Sequence, residues 1–238
     1  MKKILSLFFV LTCFTQSGFA ANDITNLGAL TQAEFRILSE DLGSALSYKP
    51  VTPAEPLGIS GFDLGLVVSS TDMKRSSQSW VKASGSEISN LTVPKLHIAK
   101  GLPFNLDIAA FYASIPSTDI KLYGAELRYA ILEGGLTAPA VAIRGTYTKM
   151  TGVTQLSFDT KGLDVSISKG FALFTPYVGI GRVSVNSTPN ASGPTAEKFS
   201  QSKVFGGVNM NFGLTNFALE ADKTGSANSY SAKLGFRF

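Results

Sequence analysis

The chain has a single cysteine, Cys13, and a single histidine, His97, and only 16% of its 238 residues are charged. One histidine with one cysteine cannot build a His/Cys metal site, so zinc and thiol chemistry are excluded and no cofactor is expected. Charge this sparse lies below the roughly 25% of ordinary soluble domains. Yet no long apolar run accounts for it. Beyond the first twenty residues nothing approaches the roughly 18–20 consecutive apolar residues of a transmembrane helix. A hydrophobic content of 44% with 11% aromatics is too apolar for a disordered chain. The net charge is only +4 and basic residues form no patch, which excludes a nucleic-acid partner. No phosphate-cradling loop is present either, since Gly179-Ile180-Gly181 falls inside a strand pattern, where glycine relieves crowding.

What is present begins with a secretion signature. Lys2 and Lys3 precede an apolar segment from Ile4 to Phe14, and Gly18-Phe19-Ala20 offers small residues before a cut. Residues 1–20 therefore read as a cleaved signal peptide. Removing them removes Cys13, so the exported chain carries no thiol and no disulfide.

From 57 to 238 the dominant signal is alternation with a period of two. Tyr230, Ala232, Leu234, Phe236 and Phe238 alternate with Ser229, Ser231, Lys233, Gly235 and Arg237. Similar runs lie at 62–69, 104–112, 123–131 and 141–148, with weaker ones at 91–99, 156–169, 173–186, 203–212 and 216–224. Residues i and i+2 share one face of a strand, so each run has one apolar face and one face of Gly, Ala, Ser, Thr and Asn with isolated charges. A soluble sandwich would carry a richly charged outer face. An apolar face toward lipid with a small polar face toward a crowded lumen fits a transmembrane antiparallel up-and-down barrel of about ten strands. The two longest connections, 71–89 and 187–202, are assigned to the cell exterior, and short turns at 100–102, 133–135, 169–171 and 213–215 to the periplasm.

Turn lengths set an expected register. They place Lys95 opposite Asp107, Glu126 opposite Arg144 and Glu220 opposite Lys233, each pair on a lumen face. Paired charges in a narrow interior describe a packed plug, since unpaired ones would need water. The competing reading is that Asp107, Glu126, Arg128, Arg144 and Arg182 line a small selective pore.

Ahead of the barrel, residues 21–56 read as a periplasmic segment with a short helix over 32–47. Thr31-Gln32-Ala33-Glu34 forms a capping box with Leu30 and Phe35 as its hydrophobic staple. Phe35, Leu38, Leu42, Ala45 and Leu46 share one helical face, and Lys49-Pro50 with Pro53 and Pro56 ends the helix. Such a helix packs under the barrel as a cap or enters the lumen as a hatch, and the cap is the plainer expectation.

The closing Gly235-Phe236-Arg237-Phe238, with Tyr230 upstream, resembles the assembly signal of Gram-negative outer-membrane proteins. Phrases such as 56–63, 162–171 and 175–179 are similar to those of a family of outer-membrane β-barrels without an established function. The resemblance implies outer-membrane location, a lipid bilayer and lipopolysaccharide as surroundings, and the barrel-insertion machinery as a partner reading Tyr230, Phe236 and Phe238. It implies no transported substance. Small barrel enzymes of that membrane need a histidine base. His97 sits near a periplasmic turn without the serine or paired aspartates such enzymes use, so no catalysis is expected and His97 reads as a lumen hydrogen-bonding residue. Two function classes stay open: a structural or interaction barrel, and a passive or facilitated channel for small or hydrophobic molecules.

Overall fold

The computed structural model describes residues 24–115, 118–135 and 137–238; the expected signal peptide lies outside them. Ten strands follow one another as β1 (Phe62–Asp72), β2 (Asn90–Gly101), β3 (Leu106–Ser114), β4 (Lys121–Glu133), β5 (Ala140–Thr151), β6 (Leu156–Ser168), β7 (Phe174–Pro189), β8 (Glu197–Phe212), β9 (Thr215–Thr224) and β10 (Ala227–Arg237). Each pairs antiparallel with its neighbour in sequence, and β1 pairs with β10, so the sheet closes on itself and leaves no edge. Closure ends on the last residue. Phe62 and Phe238 exchange backbone hydrogen bonds of 2.8 and 3.1 Å, and their rings stack at 5.9 Å.

Among the described residues two α-helices accompany the strands: α1 (Gln32–Leu46) and α2 (Ser77–Ser84). The capping box forms as expected. The Thr31 side chain accepts from the Glu34 amide while the Glu34 carboxylate accepts from the Thr31 amide at 2.9 Å. Leu30 and Phe35 are both buried in one apolar cluster, in keeping with the staple. Phe35, Leu38, Leu42, Ala45 and Leu46 are all buried.

The barrel has a turn end, which also holds the start of β1 and the end of β10, and a loop end bearing α2. At the turn end β2 extends through Gly101 and the turn occupies 102–105, with Phe104 and Asn105 at φ of 63° and 58°. This is later than the turn expected at 100–102, and a displaced turn moves every pairing that depends on it. Asp107 consequently faces Gly101 on β2, not Lys95, and on its other side it faces Arg128 of β4. The β9–β10 connection is shorter than expected, with Gly225 at φ 59°, so Glu220 faces Ser231 and not Lys233. Glu126 faces Thr146, one pleat from Arg144. A register shift falls between Ala130 and Leu132 of β4, putting Ile131 and Leu132 both on the outside.

Arg182 is also corrected. It points outward from β7, whose inward face carries Val183 and Val185. The physical reason is that the polarity of the two faces exchanges along the barrel. Toward the turn end the outside is apolar and the lumen polar. Toward the loop end the lumen is an apolar core around α1 and the outside is polar. Residues 187–202 are not one long loop; β7 and β8 run on to Pro189 and from Glu197 as this extension of the wall.

Candidate functional site

The site is the lumen. An eight-stranded barrel is filled by its own side chains, so ten strands leave room for a further segment. Residues 24–58 occupy that room from one end to the other. The described segment begins at the loop end, where Thr25 and Asn26 amides donate to the Ala83 carbonyl at 3.1 and 3.0 Å, and the Leu27 amide donates to Gln155 Oε1 at 2.9 Å. It leaves at the turn end, where the Leu57 amide donates to Asp107 Oδ1 at 3.0 Å and a Cβ on Gly101 would strike the Gly58 carbonyl at 1.9 Å. The segment expected as a cap under the barrel is therefore a plug inside it. Burial drives this, because α1 has an apolar face wide enough to need partners and the upper lumen supplies them.

Those partners are Val93, Phe111, Leu122, Met150, Phe158, Val183 and Val185, which form one buried cluster with Phe35, Leu38 and Leu42. Fully burying each of these side chains is worth about 1.5–3 kcal/mol. The approach of helix to wall is close: a Cβ on Gly43 would lie 2.6 Å from Val185 Cγ2. Ser39 Oγ donates to Ser187 Oγ on β7 at 2.8 Å, and both residues are buried. Polar clamps fix the outer rim. Glu34 pairs with Lys82 at 2.5 Å, Glu40 with Arg36 at 2.8 Å and with Arg75, and the Ser76 amide donates to Asp41 Oδ2 at 3.0 Å. The Lys82 hydrogen bond and those from Thr31 hold the Glu34 carboxyl at about 2, well below its usual range. Burial pushes Asp41 up, against the Ser76 bonds. The loop cations Lys74, Arg75 and Lys82 are thus engaged with Asp72, Glu40 and Glu34.

Below α1 the plug runs extended through an ionic tier. Lys49 Nζ meets Asp222 at 2.6 Å, Lys203 Nζ meets Asp164 at 3.2 Å and donates to the Tyr48 carbonyl at 3.1 Å, and Lys233 meets Asp63 at 2.7 Å. Arg128 donates to Asp107 Oδ2 through Nε and Nη2 at 3.0 and 2.7 Å and to the Pro53 carbonyl at 2.6 Å. Arg128 faces Arg144 across β4–β5, a like-charge pairing that Asp107 and Glu126 neutralise, the latter 3.1 Å from Arg144. Thr52 Oγ1 lies within 3.3 and 3.5 Å of the two guanidinium groups, so the plug itself bridges them. Glu220 accepts from the Val51 amide at 3.2 Å and from Tyr177 at 3.0 Å. Lys95 is buried with Nζ 5.0 Å from the Phe111 ring centre. His97 is buried against Tyr48, 3.0 Å from Nε2 to Oη. Its Nδ1 stands 3.9 Å from Asp63, too far for a hydrogen bond and hence for a proton relay.

Of the ion pairs expected from parity, Glu126–Arg144 is formed, while Lys95, Asp107, Glu220 and Lys233 are inward but take other partners. Asp63, Asp164, Lys203 and Asp222 were legible as inward residues of alternating runs; Lys49 was not, having the appearance of a helix terminator. Among the described residues no group of His, Cys, Asp and Glu is arranged to hold a metal ion.

No protein-family model matches the chain and no curated protein matches it. Among solved structures it is similar to the N-terminal β-barrel domain of OprF from Pseudomonas aeruginosa, with 13% identity over 76% of this chain and 99% of that one and a TM-score of 0.40. It is similar to Neisserial surface protein A at 10% identity over 74% of this chain and 94% of that one, TM-score 0.31. It is also similar to Ail, the attachment invasion locus protein of Yersinia pestis, at 9% identity over 75% and 99%, TM-score 0.30. At these scores what the protein does has to come from its own residues.

Proposed function

We propose that the chain is an integral outer-membrane barrel of a Gram-negative cell, exported through cleavage of residues 1–20 and closed by its own N-terminal segment. It acts as a non-enzymatic structural or interaction barrel. The observation that carries this is the lumen: residues 24–58 cross it end to end, held by buried ion pairs below and an apolar core above. A channel reading has to move that segment first. Membrane insertion is supported by the outer wall, where Leu66, Leu96, Ile98, Leu127, Ile131, Leu163, Val178, Ile180 and Leu234 are exposed among the aromatics Tyr112, Tyr123, Tyr147, Tyr230, Phe212 and Phe236. On β4 the outward apolar positions run from Tyr123 to Ile131, and nine residues on a strand tilted by roughly 40° span roughly 20 Å of depth, close to the ~25 Å apolar band of such barrels.

An even strand count puts the start of β1 and the end of β10 on one side, and short turns mark the periplasm. The loop end then faces the cell exterior. The expected periplasmic position for the N-terminal segment gives way: Leu27 and α1 sit at the outer mouth, beside α2 and residues 190–196, and together offer a compact surface to partners. Tyr230, Phe236 and Phe238 point outward on the closing strand, which suits a signal read by the insertion machinery before closure.

The test is heat-modifiable gel mobility of the outer-membrane fraction followed by planar-bilayer recording of the same material. This reading expects heat-modifiable mobility with electrically silent bilayers. Discrete current steps from the full-length chain would overturn the plugged reading, and mobility unchanged by heating would overturn the barrel in the membrane.

A further inference from the structure

The outer wall changes character abruptly where the apolar belt ends toward the loop end. Going up each strand, the first polar outward residue is Lys121 on β4, Lys149 on β5, Lys161 on β6, Arg182 on β7 and Lys223 on β9. On β8 it is Ser202, followed by Ser200 and Lys198. The remaining strands offer Asn228, Ser70, Thr92 and Ser114, none charged. No acid takes such a position among the described residues. The strands β4 to β9 are consecutive around the barrel, so the cations form an arc on one side. All of them are exposed, and the ion pairs of the rim are made by other cations, namely Arg36, Lys74, Arg75 and Lys82.

The arc is set against aromatic residues in register. Tyr123 faces Lys149 and Tyr147 faces Lys161. In the same row Lys161 faces Ser184, which faces Ser200, and the two hydroxyls lie 2.9 Å apart. One row higher Lys149 faces Asp159, which faces Asn186, which faces Lys198; Asp159 Oδ1 accepts from the Asn186 amide at 3.0 Å, so Lys149 alone of the five cations has a carboxylate opposite it in register. Tyrosine belongs at a lipid–water boundary, and a cation just beyond it stands at headgroup depth. Cations near an anionic leaflet gain from it electrostatically, and lysine, arginine and serine together are the donors that phosphate oxygens take. A soluble acidic protein would meet the same charges but would not adjoin the aliphatic belt below them.

We propose that the wall of β4–β9 binds the phosphate groups of lipid A in the leaflet at the loop end, through Lys121, Lys149, Lys161, Arg182 and Lys223 with Ser184 and Ser200 as further donors. This rests on the outer-membrane reading above and goes beyond it by naming the lipid and the side of the barrel that holds it.

The test uses full-length protein purified in neutral detergent and incubated with bis-phosphorylated lipid A, with the same lipid A stripped of its phosphates, with phosphatidylglycerol, and with inorganic phosphate. Retained lipid is measured per protein, and heat-modifiable mobility is read on every sample. Each cation at an anionic surface is worth about fivefold in binding. The wild-type chain should therefore retain bis-phosphorylated lipid A at least about fivefold over the stripped form. A Lys121→Gln/Lys149→Gln/Lys161→Gln/Arg182→Gln/Lys223→Gln variant should lose that preference while staying heat-modifiable. Equal retention of both lipid A forms by the wild type overturns the proposal, a comparison that does not depend on the variant folding. So do undiminished retention by a folded variant, retention of phosphatidylglycerol as strong as that of lipid A, and displacement by millimolar inorganic phosphate. Wild-type protein without heat-modifiable mobility would instead strike the membrane reading itself.

Discussion

Barrels lacking residues 24–57 are expected to pass current in planar bilayers where the full-length protein is silent. The backbone of a closed sheet satisfies its own hydrogen bonds, so in lipid the wall persists without the plug. What deletion removes is the content of the lumen: α1, the Lys49 ammonium opposite Asp222, and the chain whose Thr52 and Pro53 oxygens meet Arg128. The space then fills with water, because Asp222, Glu220, Asp107 and Arg144 are left facing it. Acids and bases both remain on the wall, so conductance should be sensitive to salt and only weakly selective. Recordings are made on material that first shows heat-modifiable mobility. Folded deletion barrels that stay silent would mean that the wall side chains alone close the lumen.

A second large effect is expected at Asp107. Its carboxylate takes two bonds from Arg128 and the amide of Leu57, tying the wall of β3 and β4 to the point where the plug leaves the barrel. Asp107→Asn keeps the shape and leaves a buried guanidinium without its counter-charge, a change that costs about 3–5 kcal/mol at buried pairs. Arg182→Gln, on the outer wall, should change stability by no more than about 0.5 kcal/mol. Thermal or urea unfolding followed by the loss of heat-modifiable mobility separates the two. Equal losses would place Arg182 in the lumen after all, and no loss at Asp107 would mean that the ion pairs do not hold the plug.

The contrast between those two residues marks how far the sequence alone reaches. Strand number, capping box and the apolar face of α1 are local patterns, and each appears where periodicity puts it. Register is not local in the same sense. Moving the β2–β3 turn to 102–105 was enough to take Asp107 from Lys95 and set it opposite Gly101, although Asp107 and Lys95 both remain inward; its Arg128 partner comes from the other side, across β3–β4. Arg182 departs from expectation for another reason: alternation records that two faces differ, not which is inside, and above the apolar belt of the outer wall the apolar face turns inward to meet α1. The plug had the least signature of all. Lys49-Pro50 ends a helix whether the chain beyond it enters a barrel or runs along its rim. Only long-range contacts such as Lys49–Asp222 and Val51–Glu220 distinguish the two.

The most direct measurement of the central claim is a cross-link between plug and wall. Ser39 on α1 and Ser187 on β7 have hydroxyls 2.8 Å apart in the buried upper lumen, and the chain past residue 20 contains no cysteine. A Ser39→Cys/Ser187→Cys variant therefore reports only this contact. Folded, outer-membrane material is expected to form the disulfide nearly completely under mild oxidant, seen as a mobility change reversed by reductant. Folded, heat-modifiable barrels in which the two cysteines stay reduced would contradict a helix held inside the barrel.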